Sequence, residues 1–220
     1  MRTIVGFFTR SRSPQDDPAA QLLKRATELS KTDMSAAIQT LRAAYEAIAQ
    51  TDIQYGIETF LRLPLYLQRA GRFTESLHEF HRIFASFLPP PSRSGFSEGV
   101  HFNELGVIYD KLRLAAQRQK RADISLPAGA LSAAAWDTGR HMHARADRIP
   151  MEEPNDQEWA EVLAEIGSEA REIAAALGHP PLADDLSQAM IQAHHRPSPA
   201  RFERLRALIE QHAPGVSAGR

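Results

Sequence analysis

The sequence predicts an all-α fold of stacked antiparallel helical hairpins, about nine helices in all. Three observations carry that expectation. Apolar residues recur at spacings of three and four through most of the 220 residues. No segment alternates apolar and polar residues long enough for a strand. One gapped pattern occurs twice: Leu63-x-Leu-x-x-Gln-Arg-x-x-Arg-x-x-x-Ser-Leu77 returns as Leu112-x-Leu-x-x-Gln-Arg-x-x-Arg-x-x-x-Ser-Leu126, seven identities at an offset of 49.

The stretch from Ile57 to Phe84 reads as the organising hairpin. Phe60, Leu63, Leu67 and Ala70 make one helical face. Ala70-Gly71-Arg72 is the turn, because a residue just past a helix end favours positive φ and glycine has no Cβ to clash. Phe73, Leu77, Phe80 and Phe84 stripe the second helix, and small Ser76 lets the two helices approach. Pro64 removes one backbone hydrogen bond and predicts a kink.

The run Gly-Arg-Phe-x-x-Ser-x-x-x-Phe, Gly71 to Phe80, resembles the turn and second helix of a tetratricopeptide repeat. The repeat spacing differs from that family. Ala37, Ser76 and Ser125 stand 39 and 49 apart, against about 34 in a regular array. The resemblance implies a tetratricopeptide-like α-solenoid with loops of unequal length. It also implies that the first helix of each hairpin lines a concave groove. The groove positions would be Glu58, Leu61, Leu65, Gln68 and Arg69 in one unit, and Asp110, Leu114, Gln117 and Arg118 in the next. The Gln-Arg pairs carry two readings, partner contact or a structural clamp that holds the loop between hairpins through hydrogen bonds to carbonyls.

The remaining elements follow in order. Met1 to Pro14 holds Phe7 and Phe8 beside arginines and reads as a terminal segment docked on the helical body rather than a membrane anchor. Asp16-Asp17-Pro18 starts a helix with Leu22, Leu23, Ala26 and Leu29 inward. After Ser30 to Asp33, Met34, Ala37, Ile38, Leu41, Ala44, Tyr45 and Ile48 stripe the next. Pro89-Pro90-Pro91 and the turn-rich Ser92 to Gly99 predict the longest loop, from Phe87 to Phe102. A helix is expected over Asn103–Lys120, and its partner from Asp123, with Pro127 tolerable only in its first turn. Ala128 to Ala135 offers small residues for close approach, and Trp136 a large anchor.

Ile149 to Asp156 is a boundary between an array over 15–148 and a three-helix segment over 155–213 that packs on or caps it. Asn155 and Glu158 form a capping box. Trp159, Leu163, Ile166, Ala170, Ile173 and Leu177 make the most regular stripe, ended by Gly178. Leu182 to His195 and the Ser198-Pro199 start of the last helix follow, with Pro214 to Arg220 as a loose tail.

Composition narrows the function. A net charge of −1 argues against a bulk electrostatic grip on nucleic acid or anionic lipid. The absence of cysteine removes disulfides and thiolate chemistry. No apolar run approaches membrane-spanning length. No phosphate loop, nucleophile elbow or dinucleotide fingerprint occurs. His141-x-His143 with Glu152 and Glu153, His194-His195, and His78-x-x-His81 are metal-like only in part. The expectation is a non-enzymatic, cytoplasmic, bacterial protein- or peptide-binding adaptor, without cofactor, metal, nucleic acid or stable membrane insertion. Self-association as an assembly protein and a metal-dependent hydrolase using the histidines are the alternatives.

Overall fold

The computed structural model describes residues 17–51, 53–87, 95–149 and 155–216. Phe7, Phe8, the triple proline, Glu152 and Glu153 lie outside them. Every regular element among the described residues is helical. The chain divides into two compact units, residues 1–56 and 57–220.

The first unit is the hairpin of α1 (Pro18–Leu29) and α2 (Met34–Ile48). Asp17 caps α1, its side chain accepting from the Ala19 amide at 3.1 Å, and Pro18 fills the first turn as expected. Asp33 caps α2 through the Ala36 amide at 2.9 Å. Ala19, Leu23 and Ala26 are the buried face of α1, and Ala37, Ile38, Leu41 and Ala44 that of α2. The Tyr55 hydroxyl donates to the buried Asp17 carboxylate, tying the end of this unit back to its first cap.

The second unit holds α3 (Ile57–Arg69), α4 (Phe73–Phe87), α5 (Gly95–Arg118), α6 (Ala122–Ala146), α7 (Asp156–Ala176), α8 (Ala183–His195) and α9 (Pro199–His212). Its centre is the α5–α6 hairpin rather than α3–α4. Helices α3 and α4 pack on α5, while α7, α8 and α9 pack on α6. Small residues allow this. The rings of His143 and Trp136 lie so close to Gly99 and Gly106 that a Cβ on either would stand 2.9 Å from them. Gly139 backs onto Asn103 and the Gly99 carbonyl, and the Ser132 hydroxyl donates to the Gly106 carbonyl at 2.9 Å. Ala128, Leu131 and Ala135 are fully buried. Trp136 therefore anchors on Gly106 while its outer edge stays exposed. Phe84 and Phe202 close on Tyr109 and Phe102 of α5 from two sides.

The repeated pattern folds twice into the same turn. In the first copy the Gly71 amide donates to the Gln68 carbonyl, Arg72 to Leu67 and Ser76 to Arg72, at 3.1, 2.9 and 3.0 Å. In the second, Lys120 donates to Gln117, Arg121 to Ala116 and Ser125 to Arg121, at 2.9, 3.0 and 2.9 Å. The residue past the helix end is left-handed in both, φ +75° at Gly71 and +55° at Lys120. Ser76 and Ser125 are both buried behind the turn. The turn between α1 and α2 lacks a left-handed residue and closes instead through the Asp33 cap.

Several expectations change. Helix α5 begins at Gly95, so Gly95 to Phe102 is helix and not loop. Its glycines disfavour helix in isolation, but packing against α6 requires their small size and overrides propensity. Pro127 lies in the second turn of α6, not the first, and is buried in an unbroken helix. Helix α3 likewise runs unbroken through Pro64. Its buried face takes in Ile57, Leu61, Pro64, Tyr66 and Gln68 as well as Leu63 and Leu67, because α4 and α5 cover it on two sides. Ala70 is exposed and Phe60 only partly buried. Pro214 to Val216 is docked: Val216 is fully buried and His81 Nε2 donates to the Gly215 carbonyl at 3.2 Å. The capping box at Asn155, the left-handed Gly178 and the Ser198 cap form as read.

Two stability experiments follow from the turns and the glycine contacts. Gly71→Ala should cost about 1 kcal/mol and Lys120→Gly gain about 0.5–1 kcal/mol in urea denaturation, since only backbone conformation is at stake. Gly139→Ala should cost about 1–3 kcal/mol by overpacking, whereas Gly167→Ala, whose added methyl meets only Arg171, should gain up to about 1 kcal/mol.

Candidate functional site

Helices α3 and α5 pack side by side and run in the same direction. Glu58, in the first turn of α3, acts on Glu104, in the third turn of α5, and the Arg118 Nη1 donates to Gln68 Oε1 at 3.4 Å near the ends of both helices. That seam collects part of the expected groove set. Glu58 and Arg69 are exposed, and Leu65 is half-buried against the core. The Arg69 guanidinium carbon stands 5.9 Å from the centre of the Tyr66 ring, as does that of Arg62.

Other members leave the set. Leu61 is only 1% exposed and belongs to the core, because α5 covers that side of α3. Gln68 is 6% exposed and accepts from Arg118, a side-chain tie between two helices rather than a bond to a loop carbonyl. Arg118 itself remains open to solvent. Asp110 and Gln117 lie about a third of a turn around α5 from the seam. Arg113 bridges them, donating to Asp110 at 2.7 Å and Gln117 at 3.2 Å, and its stem passes over Gly129 of α6. Leu114 lies between the two groups and is half-buried.

The seam is electrostatically polar. Burial, and then the neighbouring Glu58, push the Glu104 carboxyl above its ordinary range. At the other end stand Arg69 and Arg118, in the last turns of their helices. Cations there complement the helix dipoles. Asp110 is held below the carboxylate range: burial opposes this, but hydrogen bonds from Arg113 and Lys111 outweigh it. Glu104 was not legible as a site residue. Only its apposition to α3 gives it a role.

The histidines are committed elsewhere. His143 Nε2 accepts from Asn103 Nδ2 at 3.2 Å. His194 Nδ1 donates to Asp137 Oδ2 at 2.6 Å, and that hydrogen bond raises the imidazole above its ordinary range. Trp159 stacks parallel to His194 with centroids 6.3 Å apart, and lies 4.6 Å from His195. His78 is exposed. Among the described residues no group of three or more His, Asp or Glu is placed to hold a metal ion. No described helix is long and apolar enough to cross a membrane.

No protein-family model matches the chain, and no curated protein or solved structure matches it either.

Glu104 offers a pH test of the seam. A carboxyl raised in the folded state adds stability at low pH and loses it as pH rises through its folded value. Glu104→Gln should therefore be more stable than wild type at pH 7, and the difference should vanish below the ordinary glutamate value of 4.5 in paired urea titrations.

Proposed function

We propose that this protein is a non-enzymatic scaffold that holds an extended segment of another protein along the α3–α5 seam. One observation carries the reading. Two consecutive hairpins, α3–α4 and α5–α6, are joined by the same turn, and their first helices lie side by side in the same direction. That is the relation expected from the resemblance to tetratricopeptide repeats, whose first helices line the groove.

The residues along the seam suit such a partner. Glu58 and Glu104 offer negative charge at one end, Arg69 and Arg118 positive charge at the other, and Leu65 apolar area between. Arginine forks suit a carboxylate, whether an acidic side chain or a chain terminus. A segment with basic residues toward Glu58 and acidic ones toward Arg69 meets complementary charge along its length.

The test is cross-linking and affinity capture from extracts of the source organism. Wild type should retain a partner that Arg69→Glu/Arg118→Glu loses, while a surface control, Arg145→Glu/Arg171→Glu, keeps it. Circular dichroism checks that the reversal variant stays folded, since Arg118 also bonds Gln68. Identical captured sets from wild type and folded reversal variant would overturn the reading.

A further inference from the structure

A half-open cleft of about 230 Å³ lies between α6, α7, α8 and α9, away from the α3–α5 seam. Its floor is apolar: Ala130, Ala134, Ile166, Met190 and Leu205. Carboxylates from two walls face it. On the α6 wall, Asp137 is answered by His194 at 2.6 Å and Arg140 at 3.4 Å. On the α7 wall, Glu165 and Glu169 stand one turn apart, and neither forms an ion pair with any described residue. The cleft's own cation, the His194 imidazole, is turned to Asp137 on the opposite wall. Burial, and then Glu172, hold the Glu169 carboxyl above its ordinary range.

We infer that this cleft anchors one lysine side chain of a partner protein segment, its methylenes on the Ala130–Ala134–Ile166 floor and its ammonium between Glu165 and Glu169. Size and chemistry select that occupant. The cleft falls below the ~300–1,000 Å³ of sites that engulf a whole small molecule, so it suits a single side chain presented from outside. Lysine joins an apolar stem to a compact charge with three donors, which two carboxylates a helical turn apart can share. A guanidinium instead favours bidentate pairing with one carboxylate. The inference does not rest on the α3–α5 seam: failure of the Arg69/Arg118 experiment leaves it standing, and its own failure leaves the seam untouched.

The test is amide NMR on the full chain with three probes: Ac-Gly-Lys-Gly-NH2, its norleucine counterpart, and n-butylamine. The lysine peptide should give saturable shifts confined to residues 130–137, 162–169 and 190–194, with a Kd on the order of 10⁻³ M. Norleucine, which keeps the stem and lacks the charge, should bind at least about fivefold more weakly. Glu165→Gln/Glu169→Gln should weaken the lysine peptide by a similar factor and leave norleucine unchanged. Neither glutamate is ion-paired, so the Gln pair should not impair folding, and thermal unfolding checks it. Ala133→Phe, at the exposed mouth, should block both peptides. Equal binding of lysine and norleucine, scattered unsaturable shifts, or indifference to the Gln pair would overturn the inference. Tighter binding of n-butylamine than of the peptide would overturn it too, making the cleft a site for free amines.

Discussion

The close approach of α5 and α6 is the constraint on which the second unit depends. Two helices of 24 and 25 residues can lie this near only where glycine, alanine and serine meet. Gly99 and Gly106 leave room for the rings of His143 and Trp136, and Gly139 leaves room for Asn103. With the hairpin drawn tight, apolar surface remains on both outer sides. That surface is what α3 and α4 cover on α5, and what α7, α8 and α9 cover on α6. Continuous burial also explains how Pro127 is tolerated inside α6: neighbours on several sides hold the helix where its own hydrogen bonding is interrupted.

The helix ends obey a second constraint. Among the described residues, four of them close through a left-handed residue, at Gly71, Lys120, Arg148 and Gly178. In each, an amide reaches back five residues: Arg72 to Leu67, Arg121 to Ala116, Ile149 to Ala144, His179 to Ala174. This satisfies carbonyls that the helix leaves open. Two of the four positions carry a long basic side chain where glycine would be relaxed. The repeated turn is thus conserved in geometry between its two copies although one of them lacks the residue that favours it. At Lys120 the hydrogen bonds of the turn outweigh roughly 1–2 kcal/mol of backbone strain.

Charge placement separates two surfaces of the same unit. Along α3–α5, acidic and basic groups sit at opposite ends of the seam, and Glu58, Arg69 and Arg118 stand at helix termini whose dipoles favour their charge. In the α6–α9 cleft, negative charge is gathered without a cation on the α7 wall. The regular stripe from Trp159 to Leu177, the basis for expecting self-association, is spent largely inside the chain: Ile166, Ala170 and Ile173 are buried in its own core. What α7 leaves exposed includes Glu161, Glu165, Glu172 and Arg171.

Local chemistry was legible from the residues alone. The all-helical class, the Gly71 turn, the Asn155–Glu158 capping box, the Ser198 start and the matching backbone turns after the two Gln-Arg pairs all depend on neighbours within a few positions, and periodicity and cap residues report such neighbours directly. Only the tertiary structure decided which hairpin lies at the centre and that Gly95 to Phe102 is helical. It alone buried Leu61, set Glu104 against Glu58, and brought Asp137, Glu165, Glu169 and His194 around one cleft. The reason is physical. Spacing along a helix says which residues turn inward, but the neighbour they meet is set by how closely backbones pack, and that distance is fixed by residues far away in the chain.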